Sequence, residues 1–338
     1  MAGKEREEAE RGQGARAELA LALDWVAALR GWSAQCSALP QVREVLARMA
    51  PLRGAAEPGV DIRQIDLDGV PVEVSRAMAA GPDGVPVEVS RATAADPDGP
   101  VLLHFHGGGF TIGGPWDDRL YLSRMALALG GSAVSVGYRL APEHPYPAAV
   151  HDGTTAYRAL LESGVDARRV IVSGGSAGGG LALLVLREAR RLGLPGPAGL
   201  VLQSPLVDFT VSGRSHTTNA ATDPLTSRES IARAVTAFLA GADAAACSPL
   251  FGDLAALPPT LVQVGQDEVL LDDTLALVKE MSAAGVAVSH EVWPDVLHTW
   301  HGFGCLTAAR VATERLASFA RAQTAIPAPR GAGLAEEK

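Results

Sequence analysis

The stretch Val170-Ile171-Val172-Ser173-Gly174-Gly175-Ser176-Ala177-Gly178-Gly179 decides how the rest of the chain is read. Three β-branched residues in a row predict a buried strand, and Gly180 to Leu186 continues as an apolar helix. Between them sits a Gly-x-Ser-x-Gly. A serine at a strand-to-helix corner takes strained backbone angles and pushes its hydroxyl out above the sheet. Gly174 and Gly178 leave room where the turn folds back on itself. The pentapeptide alone is a weak signal in a chain rich in Gly and Ala. Its place between a strand and a helix makes Ser176 a candidate nucleophile rather than part of a plain glycine turn.

Outward from that corner, strand and helix alternate. Strands are expected at 101–105, 133–138, 170–173, 200–203, 261–264 and 286–293, and helices at 118–129, 148–162, 177–192, 272–284 and 305–322. This rhythm predicts an α/β fold with a mostly parallel central sheet covered by helices on both faces. The segment 206–257 interrupts it. Within that segment Thr226-Ser227-Arg228-Glu229 reads as a capping box opening a helix that closes near Gly241. An insertion after a strand end belongs over the carboxyl edge of the sheet, where open α/β folds bind ligands. Apolar residues at helical spacing predict helices over 17–30 and 40–49, ahead of the first strand. Trp25 and Trp32 are bulky enough to roof a pocket, but core packing is the expectation for each. The domain organisation that follows is N-terminal cap helices at 1–55, a catalytic core at 56–205 and 258–325, a cap insertion at 206–257 and a disordered tail at 326–338. Residues 1–16 read as a disordered or frayed start.

One feature breaks the pattern. The decapeptide DGVPVEVSRA occurs at 68–77 and again at 83–92. Each copy alternates apolar and polar residues after an Asp-Gly turn, as a half-buried strand does. Two copies are too few for a solenoid. A local duplication adding one hairpin at the sheet edge is the expectation.

The formal net charge of −9, with no basic cluster, argues against a nucleic-acid surface. Cys36, Cys247 and Cys305 are too few and scattered for a disulfide framework or a metal knuckle. The longest N-terminal apolar run is cut by Asp24, and nothing approaches the ~20 residues of a membrane span. These readings point to a cytoplasmic protein.

A serine hydroxyl is a poor nucleophile at neutral pH and needs a base within reach, itself held by an acid. In a strand-helix sheet of this kind the partners follow in the order Ser, acid, His, each after a strand. Asp267 lies nearest the end of the 261–264 strand and is the preferred acid, with Glu268 as the fallback. Asp272 and Asp273 suit the helix dipole better. His298 is the preferred base, and His301, one turn on, is expected to pack or face solvent. His106-Gly107-Gly108-Gly109-Phe110 follows the 101–105 strand. Consecutive glycines let backbone N–H groups face a cavity and receive the charge that grows on a carbonyl oxygen. One or two of them, with the N–H of Ala177, would form an oxyanion hole.

With these residues assembled, the sequence resembles the bacterial hormone-sensitive-lipase-like esterases of the α/β-hydrolase fold over about residues 60–322. The resemblance rests on His106 to Phe110, on YRLAPEHPYPA at 138–148, on GGSAGG at 174–179, on GQDEVL at 265–270 and on WPDVLHTW at 293–300. It implies a carboxylesterase for short to medium acyl chains that needs no cofactor and no metal. It assigns the oxyanion donors to Gly108, Gly109 and Ala177, and favours His298 over His301. It also implies a homodimer through the edge strand 286–293. The chain departs from the family where many members carry Asp before the nucleophile and this one has Gly175. Alternatives are a non-catalytic small-ligand receptor on the same scaffold, or hydrolysis of amides, lactones or thioesters by the same triad.

Overall fold

The computed structural model describes the backbone of residues 2–66, 86–92, 96 and 98–324, and side chains over 13–63, 96 and 98–324. Eight strands form one sheet: β1 (Val60–Asp66), β2 (Pro86–Ala92), β3 (Val101–Phe105), β4 (Ser132–Val136), β5 (Val170–Gly175), β6 (Gly199–Gln203), β7 (Thr260–Gly265) and β8 (Val288–Trp293). The helices are α1 (Ala2–Ser33), α2 (Leu39–Arg53), α3 (Arg119–Leu129), α4 (Ala148–Glu162), α5 (Ala177–Arg191), α6 (Ser215–Thr218), α7 (Arg228–Leu239), α8 (Ala244–Cys247), α9 (Leu271–Ala283) and α10 (Thr307–Thr324). No described helix is long and apolar enough to cross a membrane.

The strand order is β1-β2-β4-β3-β5-β6-β7-β8. The six strands from β4 to β8 in this order run parallel, and β2 and β1 continue antiparallel beside β4. Alternation along the central strands explains why both faces must be covered. Leu103 and Phe105 of β3, Val170 and Val172 of β5, and Leu200 and Leu202 of β6 enter one buried cluster with α4, α5 and α9. Leu102, Ile171 and Val201 point the other way, into a cluster with α3 and α10. A strand buried on both sides reads as an unbroken apolar run, as the 170–172 stretch does.

The chain runs from β3 to β4 on one side, then crosses back to place β5 on the other side of β3. That reversal leaves a crevice above the carboxyl ends of β3 and β5, the usual ligand position in an open α/β sheet. Phe105 pairs with Gly174 across it, so the loop that begins at His106 and the corner at Ser176 emerge side by side.

Several expectations change. Residues 2–16 are helical and belong to α1. Ala, Glu and Arg favour helix strongly enough to offset the scattered glycines there. Trp32 is 49 % exposed rather than in the core. The capping box of α7 sits one residue on: Ser227 Oγ accepts from Ser230 N and Ser230 Oγ accepts from Ser227 N. The helix starts at Arg228, so Ser227, in extended backbone, holds the N-cap position, while the Thr226 hydroxyl donates to Asp223. The second copy of the repeat supplies β2, with Asp66 opposite Pro86 and Val60 opposite Ala92. The first copy, and the tail from 326, lie outside the described residues.

Nineteen residues, 67–85, join β1 to β2. Deleting 68–82 would leave the four-residue link Leu67-Asp83-Gly84-Val85, whose Asp-Gly suits a tight hairpin. Shorter loop closure favours the deletion variant by about 1 kcal/mol. Thermal denaturation should show it folded, with an equal or higher midpoint; failure to fold would show that both copies are structural.

Candidate active site

Ser176 stands between β5 and α5, as the N-cap of α5, with φ 53° and ψ −123°, positive-φ backbone that a non-glycine residue adopts only under constraint. Its N–H donates to Gln203 O at 2.8 Å, and its carbonyl accepts from Leu206 N at 2.9 Å and Gly179 N at 3.0 Å. A Cβ on Gly178 would collide with the carbonyl of Phe105, and one on Gly174 with the carbonyl of Gly178. The glycines therefore let the corner close onto β3, and the hydroxyl of Ser176 is presented to the cavity above.

His298 arrives from the loop after β8. It is buried, and its Nδ1 donates to Glu268 Oε2 at 2.5 Å. The other carboxylate oxygen of Glu268 accepts from Ser204 Oγ at 2.7 Å and Gly265 N at 2.6 Å. This corrects the preference for Asp267. That residue is half-buried, and its backbone carbonyl receives Thr222 Oγ1 at 3.2 Å. The physical reason is the path of the chain after β7. Gln266 and Asp267 turn outward, and Glu268 folds back beneath the strand end. Gly265 makes the return possible, since a Cβ there would come within 2.8 Å of Glu268 Oε1.

Burial alone would lower the pKa of His298. The charge and hydrogen bond of Glu268, helped by Asp223, outweigh it and hold the imidazole above its usual range. His301 takes no part in this pair. It is buried, donates from Nε2 to Gln263 Oε1 at 2.7 Å, and is pushed down to about 3 by burial.

The glycine-rich loop lies beside Ser176. Gly108 and Gly109 have φ of 107° and 61°. Among the described residues no protein acceptor takes the N–H of Gly108, Gly109 or Ala177. His106 braces the loop from below: Nδ1 donates to Gly107 O at 2.7 Å, and its ring stacks on Tyr138 at 4.2 Å. Tyr138 in turn donates its hydroxyl to His106 O at 2.8 Å. Burial pushes the pKa of His106 down to about 4, so the ring stays neutral. On the far side of the loop Phe110 stacks on Phe238 of α7 at 3.9 Å.

Ser176, His298 and the three glycines open into one cavity of ≈540 Å³. Its outer wall includes Trp25 and Leu29 of α1, Val42 and Leu46 of α2, and Ile231 and Ala234 of α7. Arg43 ties α2 to the loops below, donating to Thr111 O at 2.8 Å and Ala141 O at 2.9 Å and pairing with Glu143 at 2.7 Å.

Residues 102–302 match the model of the alpha/beta hydrolase fold. The chain belongs to the α/β-hydrolase family. An acetyl-hydrolase of Streptomyces hygroscopicus is 41 % identical over 227 residues, covering 66 % of this chain and 76 % of that protein. An esterase of Acinetobacter venetianus is 33 % identical over 291 residues, covering 84 % and 88 %. A crystal structure of an esterase from the bacterial hormone-sensitive lipase family superposes with a TM-score of 0.81 at 37 % identity, covering 91 % of this chain and 98 % of that one. With these relatives, this α/β-hydrolase is a bacterial hormone-sensitive-lipase-like esterase, a carboxylic ester hydrolase.

The Glu268 contact makes a prediction that needs no substrate. In an NMR titration the His298 ring should protonate above about 6.5. In Glu268→Gln the favourable charge is gone and burial dominates, so its pKa should fall below that value. In Asp267→Asn it should stay where it was; a fall there instead would restore Asp267 as the partner.

Proposed function

We propose that the esterase cleaves its substrate through an acyl-enzyme on Ser176, with His298 as general base, Glu268 as the acid that orients it, and the N–H groups of Gly108, Gly109 and Ala177 as the oxyanion hole. The observation that carries this reading is the Glu268–His298 contact. A carboxylate on Nδ1 fixes the proton there and leaves the Nε2 lone pair for the serine.

In the first half-reaction Ser176 Oγ attacks the ester carbon and its proton passes to His298 Nε2. The carbonyl π pair moves onto oxygen, where preorganised N–H dipoles receive it. Removing one such donor typically costs about 3–4 kcal/mol. The tetrahedral carbon then collapses, the C–O bond to the alcohol breaks, and the imidazolium returns its proton to the leaving oxygen. Water repeats the sequence on the acyl-enzyme and releases the carboxylic acid. Glu268 keeps its contact to Nδ1 throughout, so the imidazolium forms next to a carboxylate already held by two further hydrogen bonds.

The N-terminal helices and the 206–257 segment act as the cap. Trp25, Leu29, Leu46 and Ile231 give the cavity an apolar wall, and its size suits short to medium acyl chains.

Ser176→Ala should lower kcat for p-nitrophenyl butyrate by at least about 10⁴-fold while the circular dichroism spectrum is unchanged. Persistent turnover would remove the acyl-enzyme assignment. Glu268→Gln should cost about 10²–10⁴-fold, against a few-fold at most for Asp267→Asn.

The pH profile carries an independent sign. Catalysis needs neutral His298, so kcat/KM should rise with pH through its raised pKa, placing the acid limb above about 6.5. In Glu268→Gln the residual activity should show that limb moved to lower pH. A limb unmoved by the substitution would mean that another group controls it.

A further inference from the structure

Two cavities lie under the N-terminal helices. The first holds Ser176 and His298, and a second, also of ≈540 Å³, opens between α1, α2 and α3. Three stretches of chain pass from one to the other. On α1, Leu29 lines the catalytic cavity, Leu21 lines the second, and Trp25 between them lines both. These three residues share one helix face, each about 6 Å further along the axis. At the end of α2, Ala50 lines the catalytic cavity, Leu52 and Gly54 line the second, and Arg53 lines both. Beyond His298, Gly302 lines the first cavity and Phe303 and Gly304 line the second. All three stretches cross over at the same place. The cavities therefore stand end to end, with Trp25 and Arg53 between them.

The indole of Trp25 is held from several sides. Its Nε1 donates to Met49 O at 3.4 Å, Phe303 meets its ring at right angles with centroids 5.3 Å apart, and the Arg53 guanidinium lies 5.5 Å over it. Arg53 is fixed in turn, donating from Nη2 to Asp117 O and lying 5.8 Å from the Phe303 ring. A side chain pinned by a ring, a cation and a hydrogen bond acts as a wall rather than a swinging door.

The second cavity offers mainly hydrocarbon. Leu21, Leu52, Leu120 and Phe303 line it, and its Arg124 and Glu57 pair with each other at 2.7 Å. Leu21 and Leu52 are 60 % and 66 % exposed, so apolar surface continues to the rim. An alkyl chain that starts at Ser176 and runs under α1 fills the first cavity and then meets the indole. Further methylenes have no apolar surface to cover, although such surface lies directly behind Trp25.

We infer that Trp25 sets the longest hydrocarbon chain that this esterase accepts, and that the second cavity is a continuation of the chain-binding site which the indole shuts off. This rests on the ester being cleaved at Ser176, as in the reading above.

The test measures kcat/KM of the full chain over two series: p-nitrophenyl esters from acetate to palmitate, and acetate esters from ethyl to dodecyl by pH-stat. Wild type should fall off at medium length in the series whose chain runs under α1. In that series Trp25→Ala should raise the ratio of long-chain to short-chain kcat/KM by at least about 10-fold. Leu29→Ala widens the catalytic cavity without opening the partition, and should leave the length limit where it was. Trp25→Leu keeps an apolar side chain at the position and decides the matter if Trp25→Ala folds poorly. An extension in either series supports the partition and shows which half of the ester lies under α1. No extension in either, an equal extension in Leu29→Ala, or a wild type that takes palmitate as readily as butyrate overturns it. The two readings fail differently. Hydrolysis of short esters with a limit that Trp25 variants do not move sinks the partition alone, whereas a wild-type chain that hydrolyses no ester sinks the mechanism and the partition with it.

Discussion

The corner at Ser176 holds backbone that a serine does not choose, at an intrinsic cost of about 1–3 kcal/mol. Sheet and helix over-determine it. Its N–H is taken by Gln203 O on one neighbouring strand, and Gly178 seats against the carbonyl of Phe105 on the other. The corner is therefore clamped between β3 and β6, and it keeps its angles only while both strands are in place. The rest of the architecture serves that clamp. The crossing from β4 to β5 puts β3 next to β5, and the covering helices bury both sheet faces so that the strands cannot slide.

A second constraint is electrostatic. A carboxylate buried as deeply as Glu268 would be costly if left alone. Three donors meet it: Ser204 Oγ, Gly265 N and His298 Nδ1. Two of the three come from strand ends and do not depend on the protonation of the imidazole. The site can thus hold the carboxylate in place whether or not the histidine carries a second proton. His106 shows the opposite solution. Among the described residues its Nε2 has no hydrogen-bond partner, burial outweighs the charge of Asp118 and keeps the ring neutral, and it donates one hydrogen bond to the loop.

These constraints explain what could be read in advance. Strand and helix periods, the glycine-rich loop and the serine corner are local patterns, and their elements stand within a few residues of the expected places. His298 stands where the last strand and its turn leave few candidates, and it is the histidine that reaches a carboxylate there. The acid was not legible in the same way. Asp267 and Glu268 are adjacent, both follow the same strand, and proximity to the strand end favours the one that does not reach His298. The deciding fact is that Gly265 lets the chain double back, which needs the loop path rather than the spacing. The one available signal was that glycine at the strand end. Trp32 went astray for a similar reason: a large apolar side chain says nothing of which face its helix turns to the core. The capping box of α7 shifted because the helix begins one residue later than the spacing suggests: Asp223 accepts from both the N–H and the hydroxyl of Thr226, and Ser227 is the N-cap.

The cavity joins two kinds of wall with different origins. Its floor is made of strand ends and glycine backbone, fixed by the sheet and rich in oriented polar groups. Its roof is made of side chains from α1, α2 and α7, fixed by a few contacts such as Arg43 on Thr111 and Ala141 and Phe110 on Phe238. Phe110 belongs to both, because it ends the glycine-rich loop and packs against the roof. A displacement of α7 would thus reach the glycine-rich loop through one aromatic stack, with no need to disturb the sheet. The floor and the roof come from separate stretches of the chain. They are coupled in space at Phe110, and substitutions there should be felt in both.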